Sequence, residues 1–219
     1  MKQRVDGQMG EIRSGAALAC VTFARRHAKE ILSSLVVVCA ALLCVFVGIS
    51  DAGRTEMKIP MYYQTDYNDV AYGSGSIATV GCGPTCLAMV ASYLTGTEIL
   101  PEEAISWCGD TYYHKGIGTE WTYFNDAAEY FGLGEVVWTE SVDEVLEALE
   151  AGMPVISSQS EGLFTDGGHF IVLRGVTKDG KILVNDPNDD DTKNYYKREF
   201  DMETEIDATS KRYFIFCGS

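Results

Sequence analysis

Gly81-Cys82-Gly83-Pro84-Thr85-Cys86, continued by Leu87-Ala88-Met89-Val90 and followed by Gly96, is the stretch from which the fold can be read. Proline at a first helical position and glycine just past the end mark a helix opening at Pro84 and closing at Gly96. A thiol at the positive end of a helix has its thiolate stabilised by the macrodipole and by free backbone N–H groups, and Cys82 occupies that place. Flanking glycines let a substrate backbone come close, and the Cys82 N–H would point at a developing oxyanion. Cys86, one turn later, reads as a small buried hydrophobe on the packed side with Val90 and Tyr93.

Working outward, the chain before this helix is a short extended run, Lys58 to Gln64, followed by the Gly/Ser-rich stretch around Tyr72 to Ser76. After it, helices are expected at 101–107, at 119–131 with Thr119 as cap and Gly132 as stop, and at 141–151. The last of these carries the capping box Ser141 to Glu144 and Gly152 as terminator. From Met153 the pattern turns to strands at 154–158, 169–176, 181–186 and 212–217. Helices first and antiparallel strands afterwards describe an α+β domain over residues 57–219, not a βαβ alternation.

A catalytic thiol needs a base. Of three histidines, His27 precedes a long apolar run and His114 lies in the polar loop Tyr112 to Gly116, where a surface residue is the simple reading. His169 opens the apolar strand Phe170-Ile171-Val172-Leu173, and a polar ring at the mouth of a buried strand needs a partner. If strands 169–176 and 181–186 form a hairpin about Thr177 to Gly180, Asp186 faces Ile171. His169 shares a face with Ile171, so His169 and Asp186 become diagonal neighbours with Cβ atoms ~7 Å apart. The competing reading makes Asp186-Pro187 only a turn after a strand.

The N-terminal region is built differently. Ile31 to Ile49 carries no charge, and nineteen helical residues span roughly 28 Å, close to the hydrocarbon thickness of a bilayer. Arg25, Arg26 and Lys29 precede it and Asp51 follows. The positive-inside rule therefore places a cytoplasmic basic segment at residues 1–30, a single transmembrane signal anchor or a cleaved signal peptide at residues 31–50, and the domain outside the cytoplasm, at the cell membrane or secreted. The first fifty residues hold six bases and three acids, leaving 11 bases against 29 acids for the rest of a chain whose formal charge is −15. With no Lys/Arg cluster beyond residue 30, nucleic acid is excluded as a partner.

Pro60-Met-Tyr-Tyr-Gln64, Tyr72-Gly73, Gly81 to Thr85 running into Leu87 to Val90, Gly168-His-Phe-Ile-Val-Leu173 and Asn185-Asp-Pro187 together resemble the peptidase C39-like family. These are papain-fold cysteine peptidases related to bacteriocin-processing domains that cut after double-glycine leaders. The resemblance implies Cys82 as nucleophile, His169 as base, Asp186 as orienting acid and Gln64 as side-chain oxyanion donor. It also implies a peptide or protein substrate and neither cofactor nor metal. Leader-processing members have their Gln about six residues before the Cys, where this chain has Ser76; transfer to Gln64 requires the 65–81 segment to loop out. No transporter region follows Asp186, so leader cutting is not carried over.

Two further readings keep the same residues. One is a cell-wall amidase or acyl transferase with the same triad; the other is a papain-like binding module whose aromatic residues line a recognition groove. The acidic run Asp186 to Asp191 reads as a solvated turn, because Asp191 and Lys197 stand where a calcium loop requires Gly and Glu. Cys108 and Cys217 could pair in an oxidising exterior, although four cysteines with one catalytic leave an odd number.

Overall fold

The computed structural model of the chain describes residues 55–218. The expected membrane segment at 31–50 and the basic segment before it lie outside these residues; among the described residues no helix is long and apolar enough to cross a membrane. Strands β1 (Thr55–Glu56), β2 (Ala71–Tyr72) and β3 (Gly75–Ser76) come first, then helices α1 (Ile77–Val80), α2 (Cys82–Thr95) and α3 (Pro101–Ser106). A small hairpin, β4 (Tyr113–His114) and β5 (Gly118–Thr119), leads to α4 (Tyr123–Phe131), β6 (Val136–Thr139) and α5 (Val142–Glu150). The remaining strands are β7 (Val155–Gln159), β8 (His169–Val176), β9 (Ile182–Asn185), β10 (Glu199–Phe200) and β11 (Ser210–Phe216).

One seven-stranded sheet runs β10-β9-β8-β7-β11-β6, with all pairings antiparallel and β1 also paired to β8. Its centre is β8, buried along all eight residues. Such a strand reads as a nearly continuous apolar run, which is why it could be placed from sequence. Helix α2 is buried from Gly83 to Ser92. A helix apolar nearly all round belongs inside a core, and α2 lies between α3 and the sheet, touching α4, β5 and β8.

The hairpin β8–β9 reaches the expected register by an unexpected route. Next to the turn, Val176 faces Ile182 and Gly175 faces Leu183; beyond an irregularity at Arg174, Leu173 faces Val184 and Val172 faces Asn185. The turn closes through Thr177 N–H to Lys181 O and Gly180 N–H to Thr177 O, with Gly180 at φ 76°, and so spends one residue more than a two-residue loop. The bulge at Arg174 absorbs that residue, so the strand ends meet as the simple hairpin predicts. The guanidinium of Arg174 is buried on Glu56 Oε1 at 2.7 Å, donates to Tyr196 O at 2.9 Å, and lies 4.5 Å from the Tyr196 ring centre.

Two expectations are corrected and one open question is answered. Helix α2 begins at Cys82 rather than Pro84, which fits in the first turn because its missing N–H is one the helix would leave unbonded. Thr119 does not cap a helix over 119–131: it is a buried strand residue bonded to Tyr72 Oη at 3.0 Å, and α4 begins at Tyr123. No disulfide joins Cys108 to Cys217; the Cys108 thiol points at the Ile105 and Gly109 carbonyls. The strands β2 to β6 and β10 were not anticipated. Their two to four residues carry too little pattern, and they exist because partners come to them.

Candidate active site

Gly81 ends α1 and precedes α2 at once. Its N–H bonds to Ile77 O and its carbonyl accepts both Thr85 N–H and Thr85 Oγ1. The resulting break turns a new helix end toward Cys82, whose N–H and that of Gly83 are first-turn donors without an intrahelical acceptor. The two glycines have reasons different from the expected substrate approach, for both are buried. A Cβ on Gly81 would stand 2.6 Å from both Cα and O of Ile77, and one on Gly83 would stand 2.8 Å from Thr119 Cβ. They let α1, α2 and β5 close up beneath the cysteine, which itself stays half-buried.

On the sheet side, His169 Nε2 lies 2.6 Å from Asp186 Oδ1. A carboxylate only accepts, so Nε2 carries hydrogen, and the other ring nitrogen is left for a second partner. Cys82 lines the same cleft as His169 and is near enough for its side chain to raise the pKa of the imidazole. Asp186 is fully buried; its Oδ1 also accepts Asn188 N–H at 2.8 Å, while Oδ2 has no partner among the described residues. Burial by itself would lower the His169 pKa. The bond to Asp186 and the nearness of Cys82, with their negative charge, outweigh it and hold the ring protonated well above its ordinary range.

Gln64 also arrives. Residues 65–81 do loop out, through a 3₁₀ turn, the β2–β3 hairpin and α1, before the chain returns to Cys82. The Gln64 backbone N–H donates to Pro187 O at 2.8 Å, and its Nε2 donates to Ala78 O at 2.9 Å, a carbonyl beside the α1–α2 break. One hydrogen of that amide remains, and Gln64, Cys82 and His169 all line a single cleft of about 780 Å³.

The structure thus brings all four expected residues to one place. His114 is exposed, as expected of a surface residue, but its place at the cleft was not foreseen. His114 lies on β4 at the same cleft and pairs with Glu120 Oε1 at 2.6 Å. The signal that could have found it is the Gly116/Gly118 spacing, which turns the chain back into a hairpin. The acidic run is a bonded turn: Asp189 accepts the N–H groups of Asp190, Tyr195 and Tyr196, and Asp190 those of Thr192 and Lys193. Among the described residues no group of His, Cys, Asp and Glu could hold a metal ion.

With this geometry in hand, three comparisons bear on the chain. The profile of the Peptidase_C39 like family matches residues 56–213. A crystal structure described as a C39-like peptidase from Bacillus anthracis superposes with a TM-score of 0.53 at 16% identity, covering 74% of this chain and 96% of that one. Interpain A, a cysteine protease of Prevotella intermedia, overlaps more loosely, with a TM-score of 0.46 at 13% identity over 75% of this chain and 94% of its own. None of the curated proteins compared with it matches. Helices packed on an antiparallel sheet in the C39-like manner are therefore the fold, as the sequence led one to expect.

Proposed function

The chain belongs to the Peptidase_C39 like family and is by class a cysteine peptidase; from that premise we propose that it cuts peptide bonds through Cys82, His169 and Asp186, with Gln64 as oxyanion donor, in a domain held outside the cytoplasm by residues 31–50. The observation that carries this reading is the buried 2.6 Å bond from His169 to Asp186 with the Cys82 side chain beside the same imidazole. Nucleophile, base and orienting group are then in sequence, as covalent catalysis requires.

Cys82 Sγ attacks the scissile carbonyl carbon, and the oxyanion is met by the Cys82 N–H and by the remaining amide hydrogen of Gln64. His169, kept protonated by its neighbours, gives its proton to the leaving amine as the C–N bond breaks, leaving a thioester. The neutral imidazole then takes a proton from water, whose oxygen attacks the thioester, and the acid leaves with the thiol restored. Asp186 holds the ring's orientation throughout.

A thiol-reactive peptide probe should label the protein at Cys82 and lose that labelling in Cys82→Ala. Undiminished labelling in the variant overturns the assignment. Parallel incubation with peptides and with cell-wall fragments separates peptide hydrolysis from wall-amide chemistry with the same residues.

A further inference from the structure

The cleft has one wall unlike the rest. Phe170, next in sequence to His169, begins an aromatic series: its ring lies 5.1 Å from Phe124, which lies 4.6 Å from Phe214, which in turn meets Trp138 at 5.3 Å and Trp121 at 6.1 Å. The inner rings are buried. The last two, Trp121 and Trp138, stand edge to face at 86° with centres 6.2 Å apart, and both line the cleft. Trp138 is 37% exposed, although it carries one of the largest apolar surfaces in the domain. Facing the same cleft is Ile117 at the tip of the β4–β5 hairpin, 76% exposed. A domain that buries every residue of its central strand has left one indole and an isoleucine wet, and a second indole half-buried, at the concavity that holds Cys82.

Charge narrows what can lie there. The Arg212 guanidinium sits 5.5 Å from the Trp121 ring centre and is paired with Glu140. A second cation would meet an indole already used by one. Glu120, on the same wall and paired with His114, would by itself disfavour an anion. Lys211 also lines the cleft and offsets Glu120, so the lining favours neither sign and the exposed indole favours neutral apolar matter. The corner is fixed in shape, because Trp138 Nε1 donates to Asn125 Oδ1 at 2.6 Å and its ring packs on Phe214, its direct cross-strand partner.

We propose that the Trp121/Trp138 corner, overhung by Ile117, is the specificity subsite of the cleft, receiving a bulky apolar side chain of the peptide close to the scissile bond. The inference rests on the peptidase reading above and adds its substrate class: peptides with a branched aliphatic or aromatic residue at one fixed position. A wall-peptide alanine or a charged diamino acid would leave the indoles wet.

The test is a set of quenched-fluorescent peptides, varied one position at a time, with the purified full-length protein. One position should prefer Leu or Phe over Gly or Asp by about tenfold or more in kcat/KM, the scale on which an apolar pocket discriminates. In Trp138→Ala that ratio should fall severalfold, chiefly through KM, while Trp138→Phe keeps most of it. The ratio is read within each variant, so an overall loss of active protein does not imitate the effect. A flat profile in the wild type, or an unchanged ratio in both Trp138→Ala and Trp121→Ala, overturns the subsite while leaving the triad standing. If no peptide is cleaved in a Cys82-dependent way, the catalytic reading falls, and the subsite is judged by binding to Cys82→Ala protein. Peptides bearing Leu or Phe should then shift the tryptophan emission more than the Gly peptide, and equal shifts reject it.

Discussion

Cys82 is set in place by hydrogen bonds closed within five residues of it, whereas His169 and Asp186 stand 17 residues apart in the chain and meet across a hairpin. Cys82 depends on a local break between two helices, with Gly81 and Gly83 allowing close packing. His169 and Asp186 depend on register, and that register holds because the bulge at Arg174 cancels the residue added at the turn. A local device can be read as a motif and fails by steric intrusion. A register device can be read only as an agreement between two strands, and it fails by slippage.

The largest effect expected on either side is that of Asp186→Asn. The amide can donate to His169 and so hold the wrong tautomer, and kcat should fall by roughly 10²- to 10⁴-fold with little change in KM, measured on the best peptide of the set. The same variant reports on stability. The bond to Asp186 and the nearness of Cys82 raise the His169 pKa above its unfolded value. Their contribution is therefore whole below about pH 6.5 and is lost as pH rises through the native value. The stability gap between wild type and variant should be widest near about pH 6 and shrink toward alkaline pH in urea titrations; a gap that widens with pH contradicts this.

Next in size is Gly175→Ala, which strikes the register side. Its Cβ would stand 2.1 Å from Thr55 O, a backbone atom with no rotamer to relieve it, so β1 must leave β8 and take Glu56 from Arg174. A loss of about 3 kcal/mol by urea unfolding is expected, at the upper end for an overpacked site. Gly81→Ala is the matching intrusion on the Cys82 side, 2.6 Å from Ile77 Cα and O. Because the four-residue α1 can shift with it, a smaller loss of about 1–2 kcal/mol is expected. Yet that shift moves Ala78 O, the acceptor of Gln64, so peptide turnover should fall more than stability does. Equal losses of turnover in the two glycine variants would erase the distinction between the walls.

The same distinction explains what could be read in advance. The Cys helix, the cap at Ser141, the central strand and the facing of His169 and Asp186 follow from short patterns and from counting along two strands. Thr119 was misread because a threonine before an amphipathic run looks like a cap, and only its contact with Tyr72, 47 residues away, shows otherwise. The purpose of Gly83 was misread for a related cause: what a Cβ would strike belongs to β5, which no local pattern announces. Trp138 sits on β6, a strand of four residues that pairs only with β11 near the far end of the chain. Asp186 was placed beside His169 correctly although the turn was not, since two departures of one residue each cancelled.

The extended run before the Cys helix is sewn to the sheet at three levels. Met57 N–H bonds to Arg174 O, Asn185 Nδ2 to the carbonyls of Ile59 and Pro60, and Gln64 N–H to Pro187 O. Those stitches fix where the polypeptide can be severed without harm. A scission upstream of Thr55 would remove none of these bonds and would release a domain with its cleft whole. One only ten residues later would untie the strap that brings Gln64 to Cys82. Ten residues of extended chain thus separate a cut that spares the cleft from one that dismantles it.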